Sequence, residues 1–288
     1  MPFRINPNCI VIYSSTLNLP CVEFEDNPVK KDVLFKMKNL NDTVFSKDFP
    51  GREDKIKYFE EVSSTMDIAR EFAQENCPHF TAIIADRQIK GRGRLKRTWI
   101  SDQGGLYFTL ILRPQLSPQE SHKVNFLASL VLAKTLRQKY DINAGVKWPN
   151  DVLVDGKKIS GMLSEMESRG DRIDYINIGI GINVNNDPTA VEPKATSVKK
   201  ILNRDVSRKE LLADFLDAFE DGLNALSSAD VISQWKAYTV TLNQNVRIIT
   251  HNEVSEGIAV DVDQNGALLL SQKDGALKTI VYGDCFLV

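Results

Sequence analysis

Tyr175-Ile176-Asn177-Ile178-Gly179-Ile180-Gly181-Ile182-Asn183-Val184 is the most strictly alternating stretch of the chain. Successive side chains of a β-strand point to opposite faces, so Ile176, Ile178, Ile180, Ile182 and Val184 share one face. Asn177, Gly179, Gly181 and Asn183 share the other. The isoleucine face belongs in a core. The glycine–asparagine face packs nothing well, and it reads as the wall of a cavity where a ligand lies against bare backbone. A glycine-kinked edge strand is the plainer alternative.

Outward from this strand, strands and helices alternate. Residues 57–62 and 81–86 read as strands, and Leu106, Phe108, Leu110 and Leu112 alternate with Tyr107 and Thr109 on another. Ser63 or Ser64 caps a helix whose apolar face is Met66, Ala69, Phe72 and Ala73. Val124, Leu127, Ala128, Val131 and Leu132 repeat at helical spacing, as do Leu211, Leu212, Phe215, Phe219 and Leu223. Asp155-Gly156 marks a type I′ hairpin into a strand starting near Lys158. Past Trp235, short β runs joined by Asn265-Gly266 and Asp274-Gly275 suggest a small barrel. Before Ile56 the character differs. Residues 9–13 could form a short strand, Lys30, Lys31, Lys36 and Lys38 make the segment basic, and residues 49–55 read as a linker.

Composition narrows the class. With 288 residues, 42% hydrophobic and 26% charged, the chain has the profile of a globular protein with one large unit and a small one. A net charge of -2 gives no overall pull toward nucleic acid or membrane. The four cysteines, Cys9, Cys21, Cys77 and Cys285, show no CxxC pairing, and no histidines sit at metal-ligand spacing. Reduced thiols are expected, with neither a zinc site nor a disulfide framework. No apolar run approaches the roughly 20 residues of a membrane span, and no signal-peptide core is visible, so a cytoplasmic location is expected.

Chemistry concentrates in four strings. Gly91-Arg92-Gly93-Arg94-Leu95-Lys96-Arg97-Thr98-Trp99 alternates glycine, which lets backbone approach a ligand, with guanidinium groups suited to phosphate or carboxylate. It reads as a cationic lid with an aromatic latch. Lys147-Trp148-Pro149-Asn150-Asp151, Gly156-Lys157-Lys158-Ile159-Ser160-Gly161 and Ser63-Ser64-Thr65-Met66-Asp67 accompany it. A solvated basic loop or a nucleic-acid patch is the competing reading of the first string. No helix-turn-helix pattern accompanies it, and the balanced net charge also opposes nucleic acid.

In this order and spacing the strings resemble the biotin protein ligases, called holocarboxylase synthetases in eukaryotes, over residues 58 to 288. The resemblance implies an α+β fold: a mixed β-sheet flanked by helices, akin to class II synthetases, with a small C-terminal SH3-like β-barrel. It implies an N-terminal extension at 1–55, a biotin- and ATP-binding unit at 56–237 and the barrel at 238–288. The extension is too short for the winged-helix repressor domain of some bacterial members, so a monofunctional enzyme is expected. The implied reaction joins biotin to ATP as biotinyl-5′-AMP, then transfers biotin to a lysine of a biotin carboxyl carrier domain. Mg²⁺ is implied with ATP, and neither DNA nor membrane is an expected partner.

The resemblance also assigns residues. Arg94 folds over carboxylate and phosphate, Lys147 faces phosphate, and Lys158 contacts the biotin carboxyl group and the activated phosphate. Arg97 meets the triphosphate, and Asn150 and Asn183 lie near the adenylate. Asp151 either orients the basic residues or helps hold Mg²⁺. Arg92 serves loop closure or biotin contact. Trp99 is either an adenine-side wall or core. Ser64, Thr65 and Gln88 are candidates for the ureido ring, with Gly93, Gly161, Gly179 and Gly181 against the ligand's body. Met66 stands where many bacterial members carry asparagine; it resembles the animal-type enzymes, and the direct side-chain hydrogen bond at that position is lost.

Overall fold

The computed structural model describes residues 49–226 and 230–288; the candidate strand at 9–13 and the basic stretch after it lie outside the described residues. In chain order the elements are β1 (Ile56–Val62), α1 (Thr65–Gln74), β2 (Thr81–Gln88), β3 (Leu106–Leu112), α2 (His122–Tyr140), β4 (Ala144–Lys147), β5 (Asp151–Val154), β6 (Lys157–Arg169) and β7 (Arg172–Ile182). There follow α3 (Val198–Leu202), α4 (Arg208–Asn224), α5 (Val231–Lys236), β8 (Asn245–Ile249), β9 (Val254–Val262), β10 (Leu268–Ser271), β11 (Leu277–Ile280) and β12 (Asp284–Leu287).

The alternating stretch becomes β7, in the middle of a seven-stranded sheet ordered β1-β2-β3-β7-β6-β5-β4. Only β1 and β2 run parallel, joined through α1; the other pairs are antiparallel. Ile176, Ile178, Ile180 and Ile182 are buried in the core with Leu127 and Leu130 of α2 and Phe215 and Phe219 of α4. There Phe215 and Phe219 stack at 5.4 Å and Phe108 meets Phe215 edge-on at 5.5 Å. Helix α2 packs on β4, β5 and β6, while α1 lies against β2, β3 and β7. Helix α1 therefore approaches the glycine face: a Cβ placed on Gly179 would lie 2.7 Å from the Met66 sulfur. The two faces of one strand thus have opposite jobs. One fills the core, and the other leaves room.

Asp155 and Gly156 adopt φ of 48° and 73°, the two left-handed residues that a type I′ turn requires between β5 and β6. On α1, Met66, Ala69 and Ala73 are buried as expected, and Phe72 is only half-buried. Ser64 takes the cap position but its side chain makes no capping hydrogen bond. Cys285 is buried and Cys77 half-buried, both free thiols.

Two expectations are corrected. Residues 49–55 are not a loose linker: Phe49 is buried, and Arg52 bonds Asp217 and Glu220 of α4 while lying over the Phe80 ring at 5.7 Å. The C-terminal strands form a five-stranded antiparallel sheet, β11-β10-β9-β8-β12, whose end strands do not pair with each other. It is an open sheet rather than a closed barrel. Trp148, buried at the β4–β5 corner, ties the two sheets by donating its indole N–H to the Gly266 carbonyl at 2.9 Å, and its backbone N–H donates to the Thr241 hydroxyl at 2.9 Å. Phe49→Ala is expected to destabilise the chain by about 3–5 kcal/mol, the usual cost of emptying a phenylalanine site in a core; urea unfolding measures it, and a loss below 1 kcal/mol, the mark of a true linker, would contradict the anchoring.

Candidate functional site

A cavity of about 460 Å³ opens on the glycine face of β7. Its walls are the start of α1, the 91–99 segment, the β4–β5 corner, β6, the 188–195 loop and β12. Of the residues expected at the cavity from the sequence, Asn177, read as part of its wall, and Ser64 lie outside the lining. The Ser64 hydroxyl is turned inward at the helix cap, buried and without a hydrogen-bond partner among the described residues.

The floor is made of backbone. Gly161 of β6 pairs with Gly181 of β7, and Leu163 pairs with Gly179. The Trp99 indole lies on this floor: a Cβ on Gly181 would meet its Cε2 and Nε1 at 2.5 Å, and one on Gly161 would meet its Cζ3 at 3.2 Å. Any larger residue at 181 collides with the ring. The indole N–H is buried and has no partner among the described residues.

One end of the cavity is neutral and polar. Thr65 donates its backbone N–H and its hydroxyl to Gln88 Oε1 at 2.8 and 3.1 Å. Thr109 donates to the Thr65 hydroxyl at 2.9 Å, and Gln88 passes a hydrogen bond to Ser101 at 2.8 Å. These groups orient one another from α1, β2 and β3.

The other end is cationic. Asp151, at the first position of β5, takes Lys158 Nζ at 2.6 Å and Lys147 Nζ at 3.4 Å. Lys158 also stands over the Trp99 ring at 5.3 Å. Arg94 donates to Asn150 Oδ1 at 3.1 Å and to the Gly283 carbonyl at 3.2 Å. Burial pulls the Arg94 guanidinium below its ordinary value, while Asp284 and Asp151 pull it back up. Asn150 is itself fixed by donating to the Met162 carbonyl, and Asn183 accepts from Asn186 at 3.0 Å.

The 91–99 segment folds back on itself to span these ends. Arg92 and Thr98 form an antiparallel bridge, and Gly93 N–H bonds the Arg97 carbonyl at 2.8 Å. Leu95 and Lys96 turn the chain with φ of 51° and 61°. Arg92 pairs with Asp67 at 3.1 Å and with Glu165, which ties the segment to α1 and β6. Arg97 pairs with Asp284 and lies 5.9 Å from the Phe286 ring.

Asp284, Cys285 and Phe286 of β12 are lining residues that sequence reasoning missed, as are Val191 and Glu192. They carry no motif, and more than a hundred residues separate β12 from the lysine corner it faces. Burial pushes the Cys285 thiol up to about 11, so it is protonated and unreactive near neutral pH. The arrangement suits a ligand with a polar head at the Thr65–Gln88 end, an apolar body on the glycines and an anionic tail among Arg94, Lys147 and Lys158.

Comparison with known proteins agrees on one family. Residues 58–183 match the biotin/lipoate A/B protein ligase family, and residues 241–288 match the biotin protein ligase C terminal domain. The chain is 34% identical over 229 residues to the bifunctional ligase/repressor BirA of Bacillus subtilis, covering 77% of this chain and 70% of that one. It is 33% identical over 198 residues to the biotin–[acetyl-CoA-carboxylase] ligase of Paracoccus denitrificans, covering 65% and 82%. The solved biotin protein ligase from Aquifex aeolicus in complex with biotin and ATP superposes with a TM-score of 0.69 at 30% identity, over 81% of this chain and 98% of that one. The Leishmania major enzyme in complex with biotinyl-5-AMP gives 0.57 at 26% identity, over 78% and 98%.

Gly181→Ala is expected to lift the indole off the floor. Tryptophan emission should change and tryptic cleavage between Arg92 and Arg97 should rise several-fold, with the fully buried Trp148 and Trp235 contributing a constant background. Unchanged emission and cleavage would contradict the indole's place on Gly181.

Proposed function

The chain belongs to the biotin/lipoate A/B protein ligase family, and on that premise we propose how this cavity performs biotin–protein ligation. Biotin and ATP give biotinyl-5′-AMP and pyrophosphate; the acceptor is a lysine on the biotin carboxyl carrier domain of a carboxylase. We place the activity in residues 56–237, with 238–288 closing the cavity, in a cytoplasmic protein. Among the described residues no helix is long and apolar enough to cross a membrane.

The observation that carries this reading is the joining of a side-chain-free floor to a cluster of cations in one cavity. Adenylation brings a carboxylate onto a negative α-phosphate, so the protein's work is electrostatic. A carboxylate oxygen attacks the α-phosphorus, and the bond to the bridging oxygen of the β-phosphate breaks. Arg94, Lys147 and Lys158 offset the charge on the five-coordinate phosphorus and on the departing pyrophosphate. Asp151 keeps the two ammonium groups aimed at that point. In the second step a neutral lysine amine attacks the acyl carbon, AMP leaves, and the amine loses a proton.

Mg²⁺ is assigned to the nucleotide. Among the described residues no group of three or more His, Cys, Asp or Glu is placed to hold a metal. Asp151 and Asp284 are lining carboxylates at the lysine corner, a sparse donor set that fits an ion carried mainly by phosphate oxygens. Bound there, Mg²⁺ would neutralise phosphate charge.

A nucleic-acid reading of the arginine segment finds less support. Arg92, Arg94 and Arg97 are each engaged by acidic or carbonyl groups of this chain rather than presented together outward.

Lys158→Ala is expected to slow single-turnover formation of biotinyl-5′-AMP by roughly 30- to 1000-fold, about 2–4 kcal/mol. Incubation with biotin, Mg·ATP and an isolated carrier domain should add one biotinyl group to one carrier lysine by intact mass. An unmodified carrier would overturn the acceptor assignment, and an unchanged rate in the variant would overturn the role of Lys158.

A further inference from the structure

The 91–99 segment is held at three arginines, and the holds differ in kind. Arg94 rests on neutral acceptors, Asn150 Oδ1 and the Gly283 carbonyl. Arg97, its side chain 58% exposed, pairs with Asp284. A ligand phosphate offers Arg94 a stronger partner than it has, and offers Arg97 an equal one. Arg92 is held otherwise. Both its terminal nitrogens reach Glu165 of β6, and one also reaches Asp67 of α1 at 3.1 Å. Arg70 of α1 closes a ring, donating to Glu165 at 2.6 Å and lying 3.8 Å from Asp67. Guanidinium and carboxylate groups alternate around it, so every contact joins opposite charges. An incoming anion would have to displace both carboxylates from Arg92 while being repelled by them.

The ring stands beside the neutral end of the cavity. Arg92 lines that cavity together with Thr65, Met66 and Gln88. Gly91, one residue earlier, is packed closely: a Cβ there would lie 2.6 Å from the Ser101 hydroxyl and 3.3 Å from the Gln88 amide nitrogen. The place where Arg92 is held therefore decides how the segment abuts the Thr65–Gln88 seat. From Gly93 onward the segment reaches for the other end, where Arg94 meets Asn150 and Arg97 meets Asp284.

We propose that Glu165 is a positioning residue for biotin binding. With Asp67 it fixes the Arg92 leg of the segment as the stationary side of a hinge, from which Arg94 and Arg97 turn to the ligand's anionic end. The proposal rests on the biotin reading above.

Trypsin must take a basic side chain into its own pocket, so cleavage after Arg92 requires that the guanidinium has left Glu165 and Asp67. The ligand-free full chain is digested, and the rate of the Arg92–Gly93 cut is measured by mass spectrometry relative to the cut after the exposed Lys96. Glu165→Gln, which keeps the side chain's shape and removes its charge, is expected to raise that ratio about three- to tenfold. Arg70→Gln is expected to leave it unchanged or lower it, since Glu165 is then left to Arg92. A merely structural tie between α1 and β6 would be loosened by both substitutions. An equal rise in Arg70→Gln therefore overturns the proposal, as does no rise in Glu165→Gln.

In adenylation assays KM for biotin should rise in Glu165→Gln by a similar factor. The rate at saturating biotin and ATP should change by less than about twofold, because Arg94, Lys147 and Lys158 are intact. An unmoved KM overturns the proposal. If Glu165→Gln does not fold, wild-type chain digested at low and high salt replaces it: screening should raise the Arg92 cut relative to the Lys96 cut, and a flat ratio overturns the proposal. A wild-type chain that takes no biotin removes the functional reading, on which the ligand-free cleavage ratios do not depend.

Discussion

Cations that must meet an anionic ligand have first to be held together without it. Two like charges 4 Å apart repel by roughly 4 kcal/mol at the effective dielectric near a protein surface. The chain meets that constraint with Asp151, which takes both Lys147 and Lys158, and with neutral acceptors for Arg94 from Asn150 and Gly283. The fold is arranged around this corner. β4 delivers Lys147, β5 begins at Asp151, and the tight Asp155-Gly156 turn returns the chain so that Lys158 of β6 lies beside both. Arg94 arrives from the 91–99 segment and closes the set.

The floor beneath the corner depends on the same strand pairing. Gly161 and Gly181 are cross-strand partners, so two absent side chains coincide and leave a slot for an aromatic ring or an apolar ligand body. The other face of β7 shows why those glycines are affordable: four isoleucines anchor the strand in the core, and the ligand face is released from any packing duty.

Much of this was legible in the sequence because both signals are local. Period-two alternation marks β7, and the arginine and lysine strings mark the charged end. What was not legible depends on distant contacts. Ser64 reads as a helix cap from its neighbours alone, yet its hydroxyl makes no capping hydrogen bond. Phe49 looks like part of a Pro-Gly linker until α4 is folded against Arg52. Asp284, Cys285 and Phe286 line the cavity only because Trp148 and the loop arginines draw the C-terminal sheet toward it. Barrel closure also fails to follow from turn signals, since Asn265-Gly266 and Asp274-Gly275 fix hairpins and not the meeting of end strands.

The central claim is that a cation corner and a glycine floor together activate biotin. ATP–pyrophosphate exchange, run in parallel with biotin, lipoate and octanoate, tests it most directly. Exchange that depends on biotin alone is the predicted result. Exchange driven by lipoate or octanoate would mean the floor receives a different acid, and no exchange with any of the three would contradict the account.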